Sequence, residues 1–183
     1  MHGLQLWAAL PAAHEEDEPS FAHTPASAIP EARAGDARVR VLIGEAFGEK
    51  SPVATFAPTL YLDVSLPAGG SLTLPALAPE SAVYPVEGRV WVEGRPMAPQ
   101  TMAVLQPGEP VHVSAPEPAR FVVIGGELLD APRHMWWNFV SSRKERIIQA
   151  AEDWDAQRMG RVPGDDEFIP LPPTRFTPPE PLS

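Results

Sequence analysis

The sequence predicts an all-β fold closed into a sandwich or barrel, followed by one C-terminal α-helix. Period-two alternation recurs from residue 38 onward. Val39, Val41 and Ile43 alternate with Arg38, Arg40 and Leu42, and Leu60, Leu62, Val64 and Leu66 alternate with Tyr61, Asp63 and Ser65. Val90 and Val92 interleave with Arg89, Trp91 and Glu93, and Val111 and Val113 flank His112. Such alternation sends one set of side chains to a buried face and the other to solvent. Turn signals separate the runs: Ala68-Gly69-Gly70, Glu87-Gly88, Glu93-Gly94, Pro107-Gly108 and Gly125-Gly126. Many short strands at this spacing suggest a closed all-β architecture. Near residue 142 the period changes: Ile147, Ala151 and Trp154 recur at helical spacing, giving one apolar stripe.

In chain order, Gly3 to Leu10 reads as a short apolar strand, with Leu4 and Leu6 on one face and Gln5 and Trp7 on the other. Residues 11–37, rich in Pro, Ala and acidic groups, read as a linker. Residues 38–140 hold the barrel strands. Pro85 cannot donate to a ladder, so the strand around Ala82-Val83-Tyr84-Pro85-Val86 is expected to be bulged or at an edge. The helix is expected over 141–160, started by a capping box of Ser142 and Glu145 and stopped by Gly160 and Pro163. Residues 161–183 form a proline-rich, extended tail anchored by Phe168, Ile169 and Leu171, with the final residues expected to be loose.

Composition limits the function classes. The 183 residues, 44% hydrophobic and 21% charged, suit one globular domain with appendages. A net charge of −10 argues against nucleic-acid phosphate or an anionic membrane as the main partner. Without cysteine there is no disulfide framework, thiolate nucleophile or thiolate metal site. No signal peptide is expected, and no apolar run reaches the length of about 18 residues that a spanning helix needs. The expectation is a soluble cytoplasmic protein.

The residues that carry chemistry are few. His14-Glu15-Glu16-Asp17-Glu18 fails as a zinc motif, because Glu18 stands where the second histidine belongs. Of the five histidines, His2, His14 and His23 are expected to be solvated, and a metal site built from them would need a carboxylate such as Glu16. His112 is expected on a strand face and His134 in a structural role before two tryptophans. Trp136, Trp137 and Trp154 offer a stacking platform for a ligand, but anchoring the helix is the commoner use. Arg143, Lys144 and Arg146 are expected to form a solvated helix face beside Glu145, Glu152, Asp153 and Asp155. Gly164-Asp165-Asp166-Glu167 lacks calcium-loop spacing and reads as a turn. Ser141 and Ser142 have no base beside them to support a nucleophile.

One stretch carries a family resemblance. "WWNFVSSRKERI", then "DW", then "VPGDDEFIPLP" resembles the C-terminal signature of bacterial pirins. "HGLQLWAALPAAHEEDEPSF", Ser51-Pro52-Val53 and "TLYLDVSLPAGG" match the pattern too, so the resemblance runs from His2 to about Pro172. It implies that the barrel is a cupin, an RmlC-like jelly-roll β-barrel, and that the intact architecture is two such barrels in tandem. On that reading residues 1–10 are a remnant strand of the N-terminal cupin, 11–37 cross between barrels, and 38–140 are the C-terminal cupin entire. The chain is then expected to be truncated, and its exposed apolar surface to favour association or poor solubility.

The resemblance also sets the chemical expectation. Cupin enzymes hold iron through imidazoles and a carboxylate from two strand motifs, leaving positions open for O₂ or substrate. The first motif falls on Gly69 to Glu80, which has no histidine. In the second, the ligand position is Val111, with His112 one residue later on the opposite face. This barrel is expected to be metal-free, with Fe(II) in the N-terminal cupin, so no catalytic, cofactor or metal residue is assigned here. Three functions follow: the non-catalytic part of a quercetinase-like dioxygenase, a regulatory or protein-interaction module, or a metal-free binder of a small molecule. The partners implied are the N-terminal cupin half and a protein or flavonol-like small molecule, with no direct nucleic-acid or membrane contact.

Overall fold

The computed structural model describes residues 3–98 and 100–174, so His2 and the expected loose end of the tail lie outside the described residues. The chain divides into two compact units. One is Glu18–Leu128, and the other combines the described residues up to Asp17 with those from Leu129 onward.

The larger unit is all β. In chain order its strands are β1 (Glu31–Ala34), β2 (Ala37–Ile43), β3 (Glu45–Ala46), β4 (Glu49–Lys50), β5 (Thr59–Leu66), β6 (Ser71–Leu74) and β7 (Glu80–Glu87). They continue with β8 (Trp91–Val92), β9 (Arg95–Pro96), β10 (Ala103–Val104), β11 (Val111–Ser114) and β12 (Ala119–Gly126). A six-stranded sheet has the order β1-β2-β5-β12-β7-β10, and a four-stranded sheet the order β6-β11-β8-β9. All the pairings are antiparallel. The alternation in the sequence becomes burial: Val39, Val41, Leu62 and Val64 from the large sheet share one apolar core with Leu72, Leu74 and Val113 from the small one. Phe121 on β12 is its largest fully buried side chain.

Local rules explain the irregular places. Pro85 lies opposite Phe121 while Glu87 lies opposite Arg120, so Val86 is an extra residue and β7 carries the expected bulge. Gly88 turns the chain out of β7 at φ +70°, and a Cβ there would meet the Pro118 carbonyl oxygen at 2.4 Å, so only glycine fits. Strand β1 lies inside the stretch expected as linker. Glu31-Ala32-Arg33-Ala34 alternates too briefly to be read as a strand alone, but it pairs register for register with β2. On the outer face of the large sheet, Asp63 is buried and receives Arg120 through Nε–Oδ1 and Nη2–Oδ2 hydrogen bonds of 2.7 and 2.9 Å. Arg40, directly opposite Asp63 in the register, adds a contact at 3.7 Å.

The smaller unit contains a hairpin of β13 (His134–Trp136) and β14 (Phe139–Ser141), followed by α1 (Lys144–Asp155). Trp137 turns the hairpin with φ +51°. Two expectations are corrected here. Residues 3–10 form no strand, because alternation specifies a strand only when a neighbouring edge supplies hydrogen bonds, and none of the described ladders includes them. The helix is shorter than 141–160, and its N-cap is Arg143 with no side-chain cap, so Ser142 and Glu145 do not form a capping box. Ile147 and Ala150 are buried, with Ala151 and Trp154 half-buried on the same stripe. Among the described residues, no helix is long and apolar enough to cross a membrane.

Candidate functional site

The barrel interior is where a metal-dependent reading must succeed or fail. Strands β6 and β11 are paired so that Leu74 faces Val111 and Leu72 faces Val113. All four side chains are buried in the core, whereas His112, between the two valines, is exposed opposite Thr73. A period of two makes this unavoidable: moving the imidazole inward would require slipping the whole strand by one residue and turning both valines out. The inward positions of these two strands carry only hydrocarbon side chains, with no imidazole or carboxylate among them. Iron bound in the cupin manner needs such donors, so these residues do not fit it.

The other sequence candidates are dispersed. The His14 Nδ1 lies 2.7 Å from Asp17 Oδ2, His23 is exposed, and His134 sits in β13 opposite Ser141. Glu16, the carboxylate a linker metal site would need, is taken by Arg143 and by Arg146, whose Nε donates at 3.1 Å. The two arginines therefore serve as ion-pair partners and not simply as a solvated face. Among the described residues no group of three or more metal-ligating side chains comes together.

Sequence reasoning missed a polar centre in the smaller unit, built on Glu15 and Arg133. Glu15 accepts hydrogen bonds from the Ser142 backbone N–H at 2.9 and 3.0 Å and from the Ser142 hydroxyl at 2.7 Å. This is why Ser142 does not cap the helix. Ser141 instead accepts a bond from the Arg143 N–H at 3.1 Å. The Arg133 Nε sits 2.6 Å from Glu15 Oε1, in charge contact although its hydrogen is not aimed at that oxygen. Both side chains are less than a tenth exposed. The same guanidinium donates to the Leu10 carbonyl at 2.7 Å and to Asp130 at 2.6 Å, and Asp130 receives the Ala12 N–H at 2.8 Å. Burial pushes the Glu15 carboxyl up, but the Ser142 donors and the Arg133 charge outweigh it and hold it below the ordinary carboxylate value. Glu16 is held low chiefly by the bond from Arg143, and Asp130 chiefly by the bond from Arg133. No local signal exposes this centre, because Glu15 and Ser142 stand 127 residues apart.

An aromatic cluster completes the smaller unit. Trp137 packs edge-on against Phe139 and Trp154 with centroid distances of 5.5 and 5.1 Å, and Trp136 lies 6.4 Å from Trp137. Trp154 stacks on Phe168 at 5.8 Å, and its indole Nε1 donates to the Ile169 carbonyl at 2.8 Å. The tryptophans thus join helix, hairpin and tail within this unit, and Phe168 holds the tail through its stack on Trp154, whereas Ile169 is engaged through its backbone carbonyl and its side chain is 67% exposed. The Asp165 carboxylate accepts the Glu167 N–H at 2.9 Å, which makes the acidic stretch a turn. Between this loop and Trp154 lies a cavity of about 530 Å³.

Known proteins agree with the architecture. Residues 61–160 match the family model of the pirin C-terminal cupin domain. The chain is 46% identical over 175 residues to a pirin-like protein of Caulobacter vibrioides, covering 94% of this chain and 60% of that protein. It is 35% identical over 168 residues to pirin of Homo sapiens, covering 87% and 57%. In three dimensions it is similar to a crystal structure of quercetin 2,3-dioxygenase from Acinetobacter baumannii, with a TM-score of 0.82 at 27% identity, covering 93% of this chain and 59% of that one. The chain thus spans about 60% of the length of the curated relatives it matches. On the strength of the matched domain and the all-β fold, this chain belongs to the pirin family and carries its C-terminal cupin domain.

Proposed function

We propose that this chain supplies the metal-free C-terminal barrel of a pirin, and that catalysis of the quercetin 2,3-dioxygenase kind is carried by a companion N-terminal cupin outside these residues. On this reading the residues described do not catalyse alone. The observation that carries the proposal is the face of β6 and β11 turned inward: Leu72, Leu74, Val111 and Val113 occupy it, and hydrocarbon cannot ligate iron. Fe(II) and a flavonol-like substrate belong to the companion barrel on this reading.

The test is elemental analysis of the purified chain after anaerobic loading with ferrous iron, with quercetin turnover followed in parallel. The expected result is no retained iron and no turnover. About one iron per chain, retained through gel filtration, would overturn the proposal.

A second reading, that the chain works as an interaction module, is favoured by Leu4, Leu6, Trp7 and Leu10, each between 39% and 55% exposed. Unpaired apolar residues of this kind mark a surface that takes up a partner. Concentration-dependent association in light scattering is expected, and a monomer at all concentrations would count against it.

A further inference from the structure

The cavity beside α1 is not used by anything described above, and its lining has a definite chemistry. Its aromatic floor is the stacked pair of Trp154 and Phe168. Met159 and Val162 form apolar walls and are 45% and 69% exposed, so hydrocarbon faces water here at a cost. The charged groups on the lining are unequal: the carboxylates of Asp165, Asp166 and Glu167 stand against the single guanidinium of Arg161. That guanidinium donates to the Gln157 side-chain carbonyl at 2.7 Å, a neutral partner, and so does not cancel the carboxylates.

We propose that this cavity is a binding site for an organic cation with a flat apolar body. The ring of such a ligand would lie against the Trp154–Phe168 stack, and its cationic group would sit among the carboxylates. An aromatic face attracts a cation through its quadrupole, more strongly the more the pair is shielded from water. The site is held in shape without a ligand. The Trp154 Nε1 to Ile169 carbonyl bond closes the loop, the Asp165–Glu167 turn fixes its acidic side, and Gly160 and Gly164, at φ +85° and +80°, set its two bends. A volume of about 530 Å³ suits a small organic molecule and is too small for a folded partner. The site is independent of the barrel interior, and the proposal does not rest on the function assigned above.

Calorimetric titration of the full chain with benzyltrimethylammonium tests it. Benzyl alcohol supplies the ring without the charge, tetramethylammonium the charge without the ring, and benzoate the opposite charge. Benzyltrimethylammonium is expected to bind at least about tenfold more tightly than the other three. The double substitution Asp166→Asn with Glu167→Gln is expected to weaken it about tenfold while leaving the far-ultraviolet circular dichroism of α1 unchanged. Phe168→Ala should weaken it further, and Phe168→Tyr should restore it. Benzoate binding equally well, the carboxamide variant binding the cation unchanged, or no heat at millimolar cation would each overturn the proposal.

Discussion

The two units of this chain are stabilised by different forces, and the contrast shows where each will fail. The barrel unit is held by side chains that need no partner of a particular charge: Val39, Leu62, Val64, Val113 and Phe121 are almost wholly removed from water, and β5, β12 and β7 run beside one another in long ladders. Such burial contributes about 25 cal/mol per Å² of apolar surface and depends little on pH or salt. The smaller unit has only Ile147 and Ala150 buried on its helix, and depends on three guanidiniums, three carboxylates and five aromatic rings. Its interactions are directional, and several are open to solvent and screening. A hydrocarbon core tolerates many conditions, whereas a polar centre requires every partner to be present and in the right protonation state.

The largest effect is expected in the barrel. Phe121→Ala removes the biggest fully buried side chain and should cost about 3–5 kcal/mol, the usual penalty for emptying an aromatic site. Urea denaturation followed by near-ultraviolet circular dichroism would measure it. A loss below about 1 kcal/mol would mean that the core has much more freedom to collapse than its burial indicates.

The next effect belongs to the smaller unit. Arg133→Ala leaves the Glu15 carboxylate covered without its counter-charge, and removes donors to Leu10 and Asp130. Breaking a fully buried pair costs about 3–5 kcal/mol, and about 2 kcal/mol is expected here because the Asp130 side lies open to water. The readout that separates the units is limited proteolysis: cleavage between residues 3 and 17 should accelerate while the barrel's unfolding midpoint stays put. A matching fall in the barrel midpoint would mean that the two units do not respond independently.

Acid should act on the same place. Glu15, Glu16 and Asp130 all have folded-state pKa values below their ordinary ones. Groups shifted in that direction stabilise the fold above the unfolded carboxylate values, about 3.9 for Asp and 4.3 for Glu, and that stabilisation is lost as pH falls through the lower folded values. Protection of the Ala12 and Ser142 amides against hydrogen exchange, relative to the intrinsic rate at each pH, should therefore fall as the pH drops below about 4, before the barrel amides respond. Uniform exchange in both units across that range would contradict the contrast.

The smallest effect is expected at His112. Its side chain lies on the exposed face of β11, so His112→Ala should change stability by less than about 0.5 kcal/mol and leave iron uptake unaltered. Chemical denaturation and elemental analysis would check both halves of that statement.

Much of the larger unit was legible in the sequence because period-two alternation is a local record of which side chains a sheet will bury. It placed β2, β5 and β11, assigned Val111 inward and His112 outward, and, with the Pro85 rule, marked β7 as bulged or at an edge, of which the structure forms the bulge. Tertiary structure alone decided the smaller unit. The acidic run His14-Glu15-Glu16-Asp17-Glu18 has the composition of a solvated linker, yet Glu15 and Glu16 receive Ser142, Arg133, Arg143 and Arg146 from more than a hundred residues away. Ser142 satisfies the local rule for a helix cap but forms stronger, charge-assisted bonds to a carboxylate, and the helix starts later without it. Gly3 to Leu10 alternates like a strand but pairs with no edge, since a ladder needs two chains and a sequence pattern describes only one. Hydrophobic periodicity is written residue by residue, whereas charge pairing and strand pairing depend on which distant groups the fold brings together.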